Sequence, residues 1–146
     1  MDDPVDYPKI KSWVDEWGGE VDYVDFVKFN GDLAVLVAFS RILWPRFVEV
    51  EGCVLWDRVY EESNFNLWRE SLSGDISRIE ATLNQVRIWQ IVESDEGDQE
   101  ALNFIAACVV KSWRASLSAD FPEREFEVLV VESEDGPIVT FSSAAP

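Results

Sequence analysis

Two closely spaced glutamates, Glu49 and Glu51, are the residues of this sequence most suggestive of catalysis. They lie in Phe47–Trp56, a segment rich in β-branched and aromatic residues that predicts one strand. On a single strand their carboxylates project from the same face about 7 Å apart, a separation found in inverting glycosidases. Trp56, at the end of the segment, offers a ring on which a sugar can stack. One alternative for this chain is therefore a carboxylate-based enzyme or a carbohydrate-binding protein.

The rest of the sequence carries little further catalytic equipment. Acids on the outer face of a half-buried strand are ordinarily just solvated. The chain has no histidine, which excludes Ser-His and Cys-His dyads and imidazole metal sites. The glycine motifs of dinucleotide-binding proteins, phosphate-binding loops and serine hydrolases do not occur either. The balance favours a protein without enzymatic activity.

The acidic segment 93–100 carries five carboxylates and no basic residue. Its oxygens suit Ca²⁺ or Mg²⁺, but their spacing departs from the pattern of an EF-hand loop. Cys53 and Cys108 are too few for a structural zinc site or a disulfide framework, and both lie in apolar stretches. We expect no metal, no cofactor and two buried free thiols.

The overall charge is more informative than any motif. The 146 residues include 29 acidic and 12 basic side chains, which gives a formal net charge of −17 at pH 7. Such a charge opposes binding to nucleic acid phosphates and to anionic membranes, and it accelerates the encounter with a basic protein. The alternative explanation is that the charge only keeps the protein in solution.

The acidic residues are concentrated near the amino terminus, in residues 93–100 and in residues 120–135. We predict that carboxylates of the last two segments bind Lys and Arg side chains of a basic protein partner. Seven tryptophans exceed what one small core usually takes, so one or two are expected at an interface. The predicted partner-binding residues are Glu93, Asp95, Glu96, Asp98, Glu123, Glu125, Glu127 and Trp89.

The elements that must position these residues are helices and strands in mixed order. Apolar residues recur at helical spacing in several segments, and two β-branched runs follow near the carboxyl end. The predicted helices cover residues 8–17, 64–72, 76–86 and 99–120, and the predicted C-terminal hairpin covers residues 126–131 and 138–141 around a turn at 134–137.

Two further segments, residues 20–29 and 32–44, are compatible with a helix and with a strand. For the second segment, its length and the proline that follows it, Pro45, favour a buried helix. Within the segment 76–86, Ser77 and Glu80 have the spacing of a capping box.

The order of elements predicts an α+β fold, because strict βαβ alternation is absent and the chain ends in a hairpin. In the expected architecture a small antiparallel sheet with the C-terminal hairpin packs against four to five helices. The composition is even from end to end, so residues 1–146 are predicted to form a single domain.

Three stretches are notable together: Leu43–Val54 (LWPRFVEVEGCV), Ile79–Val86 (IEATLNQV) and Trp113–Phe126 (WRASLSADFPEREF). The set resembles a family of small bacterial proteins without an assigned activity. The resemblance implies bacterial origin and one compact domain, and it transfers no catalytic residue to this chain.

These observations lead us to expect a cytoplasmic, non-catalytic protein-binding module, an inhibitor or immunity-like protein for a basic partner. Met1–Asp6 lacks the pattern of a signal peptide, and the apolar run Leu33–Phe39 is too short to span a bilayer. A DNA mimic is a further alternative, which requires carboxylates spaced like phosphates. The sequence is compatible with a monomer and with a homodimer.

Overall fold

Helices and two small antiparallel sheets build the protein, which we describe from a computed structural model of residues 1–144. The predicted α+β class and the C-terminal hairpin are confirmed. These residues form six α-helices rather than four to five, because the segment 20–29 also contains a helix. The helices are α1 Pro8–Trp17, α2 Tyr23–Asn30, α3 Leu33–Leu43, α4 Glu62–Ser71, α5 Ile76–Leu83 and α6 Gln99–Asp120. The strands are β1 Phe47–Val50, β2 Cys53–Trp56, β3 Gln85–Arg87, β4 Phe126–Ser133 and β5 Gly136–Ser143.

Aspartate caps explain why both ambiguous segments are helical. Asp22 accepts hydrogen bonds from the backbone N–H groups of Val24 and Asp25 at the start of α2 (2.8 and 3.4 Å). Asp32 accepts two equivalent bonds in the first turn of α3 (2.8 and 3.2 Å). Each cap satisfies donors that a helix N-terminus otherwise leaves free, and this favours the helix over the strand.

Helix α3 is not the buried helix that its composition predicts. Its carboxyl end reaches the core, where the Ile42 carbonyl accepts a hydrogen bond from the Trp113 indole (2.8 Å). Its amino-terminal half is uncovered, with Leu33 and Val37 78% and 62% exposed. Despite this apolar composition, neither α3 nor any other helix within residues 1–144 is long and apolar enough to cross a membrane.

The segment 47–56 forms a hairpin and not the single predicted strand. Strands β1 and β2 pair antiparallel along their whole length. Glu51 and Gly52 make the two-residue turn, with φ angles of 49° and 86° in the left-handed region that such turns require. Because the chain reverses at this turn, Glu49 and Glu51 do not share one face of a continuous strand.

The second sheet and α6 enclose the main core. The strand order is β3-β5-β4 with antiparallel pairing throughout, and α6 packs against β4 and β5. Trp113 of α6 is fully buried and makes edge-to-face contacts with Phe141 and Trp56, each at 5.5 Å between ring centroids. This packing holds α6 against the second sheet.

Two polar side chains, one in α5 and one directly after it, bind the backbone of the sheets. Glu80 is fully buried and accepts hydrogen bonds from the backbone N–H groups of Val54 in β2 (2.8 Å) and Ser143 in β5 (2.9 Å). Asn84, one turn further along, accepts from the Trp56 N–H (3.0 Å) and donates to the Val54 carbonyl (2.9 Å). The two side chains thereby supply partners for backbone groups that would otherwise be buried without them.

The capping box predicted for Ser77 and Glu80 is therefore wrong. Asp75 caps α5 and accepts a hydrogen bond from the Arg78 N–H (3.1 Å). The Ser77 hydroxyl instead donates to the carbonyl of Ser143 (2.8 Å). Helix α5 also ends earlier than predicted, because the following residues pair with β5 as strand β3.

Candidate partner-binding site

The acidic loop before α6 and the turn between β4 and β5 face each other across an open groove of about 1100 Å³. Five of the predicted partner-binding residues line it: Trp89, Glu93, Asp95, Glu96 and Asp98. We call this feature the acidic groove. The other residues that line it are Tyr7, Lys9, Ser94, Gln99, Leu102, Glu134 and Asp135.

Trp89 reaches the groove because of where β3 ends. It lies in a short 3-10 turn directly after β3, which pairs with β5. The first residue of β5 is Gly136, whose φ of 138° is strained for any residue with a side chain. A Cβ atom at this position would lie 3.1 Å from the Trp89 ring. Glycine thus allows the hairpin turn and the indole to meet in contact.

Asp98 joins the acidic loop to the amino-terminal segment. Its carboxylate accepts hydrogen bonds from the Asp95 backbone N–H (2.8 Å) and from the Tyr7 hydroxyl (2.9 Å). The first of these bonds, and next the second, lower the pKa of Asp98 below its ordinary value. The same carboxylate raises the pKa of Tyr7, since it accepts the phenol proton. The Asp98 carboxylate is therefore ionised at neutral pH, and its two hydrogen bonds hold it in place where it lines the groove.

The charge of the groove is not neutralised from within the protein. Six carboxylates and one lysine ammonium group line it. The ion pairs found in residues 1–144 join Met1 to Glu100, Lys11 to Asp15 and Arg69 to Glu51, and none of them includes a groove carboxylate. Closely spaced carboxylates without counterions create a negative potential that favours a cationic ligand.

An apolar pocket of about 320 Å³ adjoins the acidic groove. The residues that line both cavities are Tyr7, Glu93, Ser94, Asp98 and Leu102. The remainder of the pocket is lined by residues of the amino-terminal segment, the loop and α6, which are Met1, Pro4, Ile10, Val92, Ala101, Phe104 and Ile105. A ligand in the groove therefore has an apolar cavity within reach.

The other three predicted partner-binding residues lie elsewhere. Glu123, Glu125 and Glu127 are exposed at the start of β4 or just before it. The turn that lines the groove is at the far end of the same strand, roughly 23 Å away at the rise of an extended chain. The structure therefore does not bring these three carboxylates to the groove.

The residues considered for carbohydrate chemistry do not form a site. Glu51 lies in the hairpin turn, where it makes an ion pair with Arg69. Trp56 is only 3% exposed and packs against Trp113, so its ring has no free face for a sugar. The hairpin also separates Glu49 from Glu51, which removes the shared face on which the two-carboxylate hypothesis depended.

Comparison with protein-family models, curated proteins and solved structures finds no match to the chain. The functional assignment therefore depends on the geometry alone. In the part of the chain from residue 1 to 144, no three acidic or cysteine side chains are grouped so as to hold a metal ion.

Two residues of the groove, Tyr7 and Lys9, are not identified by the sequence patterns. Glu134 and Asp135 belong to the acidic segment 120–135 that is predicted to bind the partner, but they are not among the individually predicted residues, and their proximity to the acidic loop depends on the β3-β5-β4 pairing. Tyr7 and Lys9 come from the amino-terminal segment, far from the loop in sequence. For the acidic turn, the local density of carboxylates in residues 120–135 is a signal, whereas for Tyr7 and Lys9 the sequence carries none.

Proposed function

We propose that the protein is a non-catalytic binding module for a basic protein, in the manner of an inhibitor or immunity protein. The observation that carries the proposal is the acidic groove, which Trp89 lines together with six carboxylates, none of them in an ion pair within residues 1–144. Binding of a cationic partner to a surface with this charge is favourable, because each carboxylate can then form a charge-assisted hydrogen bond with the partner.

Binding begins with electrostatic attraction between the negative groove and Lys or Arg side chains of the partner. The net charge of −17 extends this attraction over the whole molecule and raises the association rate. Within the groove, a guanidinium group can pair with carboxylates of the loop and lie against the half-buried indole of Trp89. The aromatic contact slows dissociation, because it is protected from solvent.

The adjoining apolar pocket makes binding selective for certain basic partners. A segment of the partner that carries a basic side chain next to a large aliphatic or aromatic one fills both cavities at once. A polycation without such a neighbour fills only the acidic groove. We expect this interaction in the cytoplasm, where a reducing environment suits the free thiols of Cys53 and Cys108.

Two triple variants test the groove with equal changes in charge. Glu93→Gln/Asp95→Asn/Glu96→Gln, the loop variant, neutralises three carboxylates of the loop. Glu123→Gln/Glu125→Gln/Glu127→Gln, the β4 variant, neutralises three exposed carboxylates at the other end of β4. The wild type and both variants are used for affinity capture from the native cell at about 0.1 M and about 0.5 M salt.

We expect the wild type and the β4 variant to retain a common basic protein at low salt, and the loop variant to lose it. A residual dissociation constant about 100-fold weaker corresponds to the loss of three partly screened ion pairs. Equal retention by the two variants would show that net charge, and not the groove, is responsible. Retention that does not change with salt would contradict the electrostatic mechanism.

A further inference from the structure

Two consecutive helices, α2 and α3, expose an unusual number of large apolar side chains. Eight such residues between positions 23 and 37 are at least 42% exposed, and Leu33, Val35 and Val37 exceed 60%. We call this feature the α2–α3 apolar surface. Its members are Tyr23, Val24, Val27, Phe29, Leu33, Val35, Leu36 and Val37. Protein monomers rarely leave so many large apolar side chains uncovered in one short segment unless these side chains bind something.

The two helices that carry the exposed side chains are attached to the rest of the protein at a few points. In α2, Phe26 and Phe29 contact Trp13 of α1, at 5.6 and 5.9 Å between ring centroids. In α3, the carboxyl end is fixed to α6 by the bonds from Ser112 to the Leu43 carbonyl and from the Trp113 indole to the carbonyl before it. The surface is therefore presented on helices that are anchored at one end or along one side.

The charges around this surface indicate what covers it. Between residues 12 and 41 the chain holds six acidic side chains and two basic ones, Lys28 and Arg41. Asp22 and Asp32, the N-caps of the two helices, and Asp25 lie directly among the exposed apolar residues. A second copy of this chain would bring the same carboxylates into opposition, with a net charge of −17 on each side. A partner with an apolar face and basic borders is complementary in both respects.

We propose that the α2–α3 apolar surface docks an amphipathic helix of a partner protein, with an apolar stripe flanked by Lys and Arg. The apolar stripe covers side chains such as Leu33, Leu36 and Val37, which lie on one face of α3 at helical spacing. The flanking bases pair with the aspartates at the helix starts. This surface shares no residue with the acidic groove, so its binding does not depend on the function proposed for the groove.

The test uses a synthetic helical peptide of about 18 residues with leucine on one face and lysine on the other. One reference peptide has glutamate in place of lysine, and another has the same composition in an order without an apolar face. Binding is measured by fluorescence anisotropy with wild-type protein and with Leu33→Gln/Leu36→Gln. The matched control is Leu67→Gln, because Leu67 is a 66% exposed leucine of α4, outside the surface.

We expect the leucine–lysine peptide to bind the wild type and the Leu67→Gln control equally, and Leu33→Gln/Leu36→Gln at least about tenfold more weakly. Both reference peptides are expected to bind more weakly than the leucine–lysine peptide. When the three loop substitutions of the acidic groove are added, the difference in peptide affinity between Leu67→Gln and Leu33→Gln/Leu36→Gln should stay unchanged. Circular dichroism verifies that the variants are folded.

Three results would overturn the proposal. The first is an equal affinity of the peptide for the wild type and Leu33→Gln/Leu36→Gln, or no binding at all. The second is a wild-type dimer in sedimentation that Leu33→Gln/Leu36→Gln dissociates, since the surface would then bind a second copy. The third is stronger retention of the wild type than of the leucine variant on neutral phosphatidylcholine vesicles, since the surface would then bind lipid.

Discussion

The fully buried carboxylate of Glu80 leads to a prediction about the stability of the fold. Glu80→Gln conserves the volume of the side chain but replaces one acceptor oxygen with an NH₂ donor. The two oxygens of the carboxylate accept from the Val54 N–H (2.8 Å), the Ser143 N–H (2.9 Å) and the Ser143 hydroxyl (3.1 Å). An amide has one oxygen, so one of the two backbone N–H groups must face another donor.

The expected loss can be estimated from these bonds. A hydrogen bond to a charged group contributes about 1.5–3 kcal/mol, and a buried N–H without a partner costs about 1–3 kcal/mol. A neutral amide is easier to bury than a carboxylate, which offsets part of the sum. We expect Glu80→Gln to lower the free energy of unfolding by about 2–4 kcal/mol, and Asn84→Asp by a similar amount. The Asp variant leaves the Val54 carbonyl without its donor.

Urea unfolding monitored by circular dichroism measures the effect. With a slope of about 1–3 kcal/mol per molar, the midpoint should fall by about 1–2 M at an unchanged slope. Glu127→Gln, which changes an exposed glutamate of β4 in the same way, should stay within about 0.5 kcal/mol of the wild type. Hydrogen exchange gives a local readout, because the Val54 or Ser143 amide should lose protection first. An unchanged midpoint, or unchanged protection of both amides, would refute the role assigned to Glu80.

Three further predictions concern single residues. Burial is the main reason why the pKa of the Cys53 thiol is raised to about 11. A disulfide reagent at about pH 8 should therefore modify only Cys108 in the native protein and both thiols after unfolding. Labelling of both thiols in the native protein would contradict the burial of Cys53. The lowered pKa of Asp98 contributes stability that is fully present above the ordinary value of about 3.9 and is lost as the pH falls through the folded value. Tyr7→Phe should raise the pKa of Asp98 in an NMR titration, and an unchanged titration would show that the hydroxyl does not donate to it. Gly136→Ala should lower the free energy of unfolding by about 1–3 kcal/mol and alter the fluorescence of the groove tryptophan, whereas a variant as stable as the wild type would refute the close contact.

Much of the fold can be predicted from local sequence signals. The long helix α6 and the C-terminal hairpin have a regular spacing of apolar residues and clear turn or helix-ending residues at their limits. Both form close to the predicted positions. The spacing of Asp22 and Asp25 is a capping box that resolves the ambiguity of α2. The turn at Glu51 and Gly52 is harder to predict, because a glutamate with positive φ is unfavourable and persists only where the flanking strands demand it.

Features that depend on distant contacts escape such signals. The apolar composition of α3 predicts burial, but burial requires a neighbouring element, and only the carboxyl end of the helix has one. The acidic loop is predicted from charge alone, and the same reasoning selects Glu123, Glu125 and Glu127 equally. The number of acidic residues in a segment does not indicate where their side chains lie in the folded protein. The sequence therefore does not distinguish carboxylates that line one groove from carboxylates that lie a strand length away.

The α2–α3 apolar surface makes the negative charge a condition of colloidal stability. Exposed leucine and valine side chains attract one another between molecules, and at neutral pH the charge of −17 keeps the molecules from approaching closely enough. This repulsion weakens with added salt and vanishes near the isoelectric point of about 4.1. We therefore expect that acid, or a polycation that leaves the α2–α3 apolar surface uncovered, promotes aggregation of the protein.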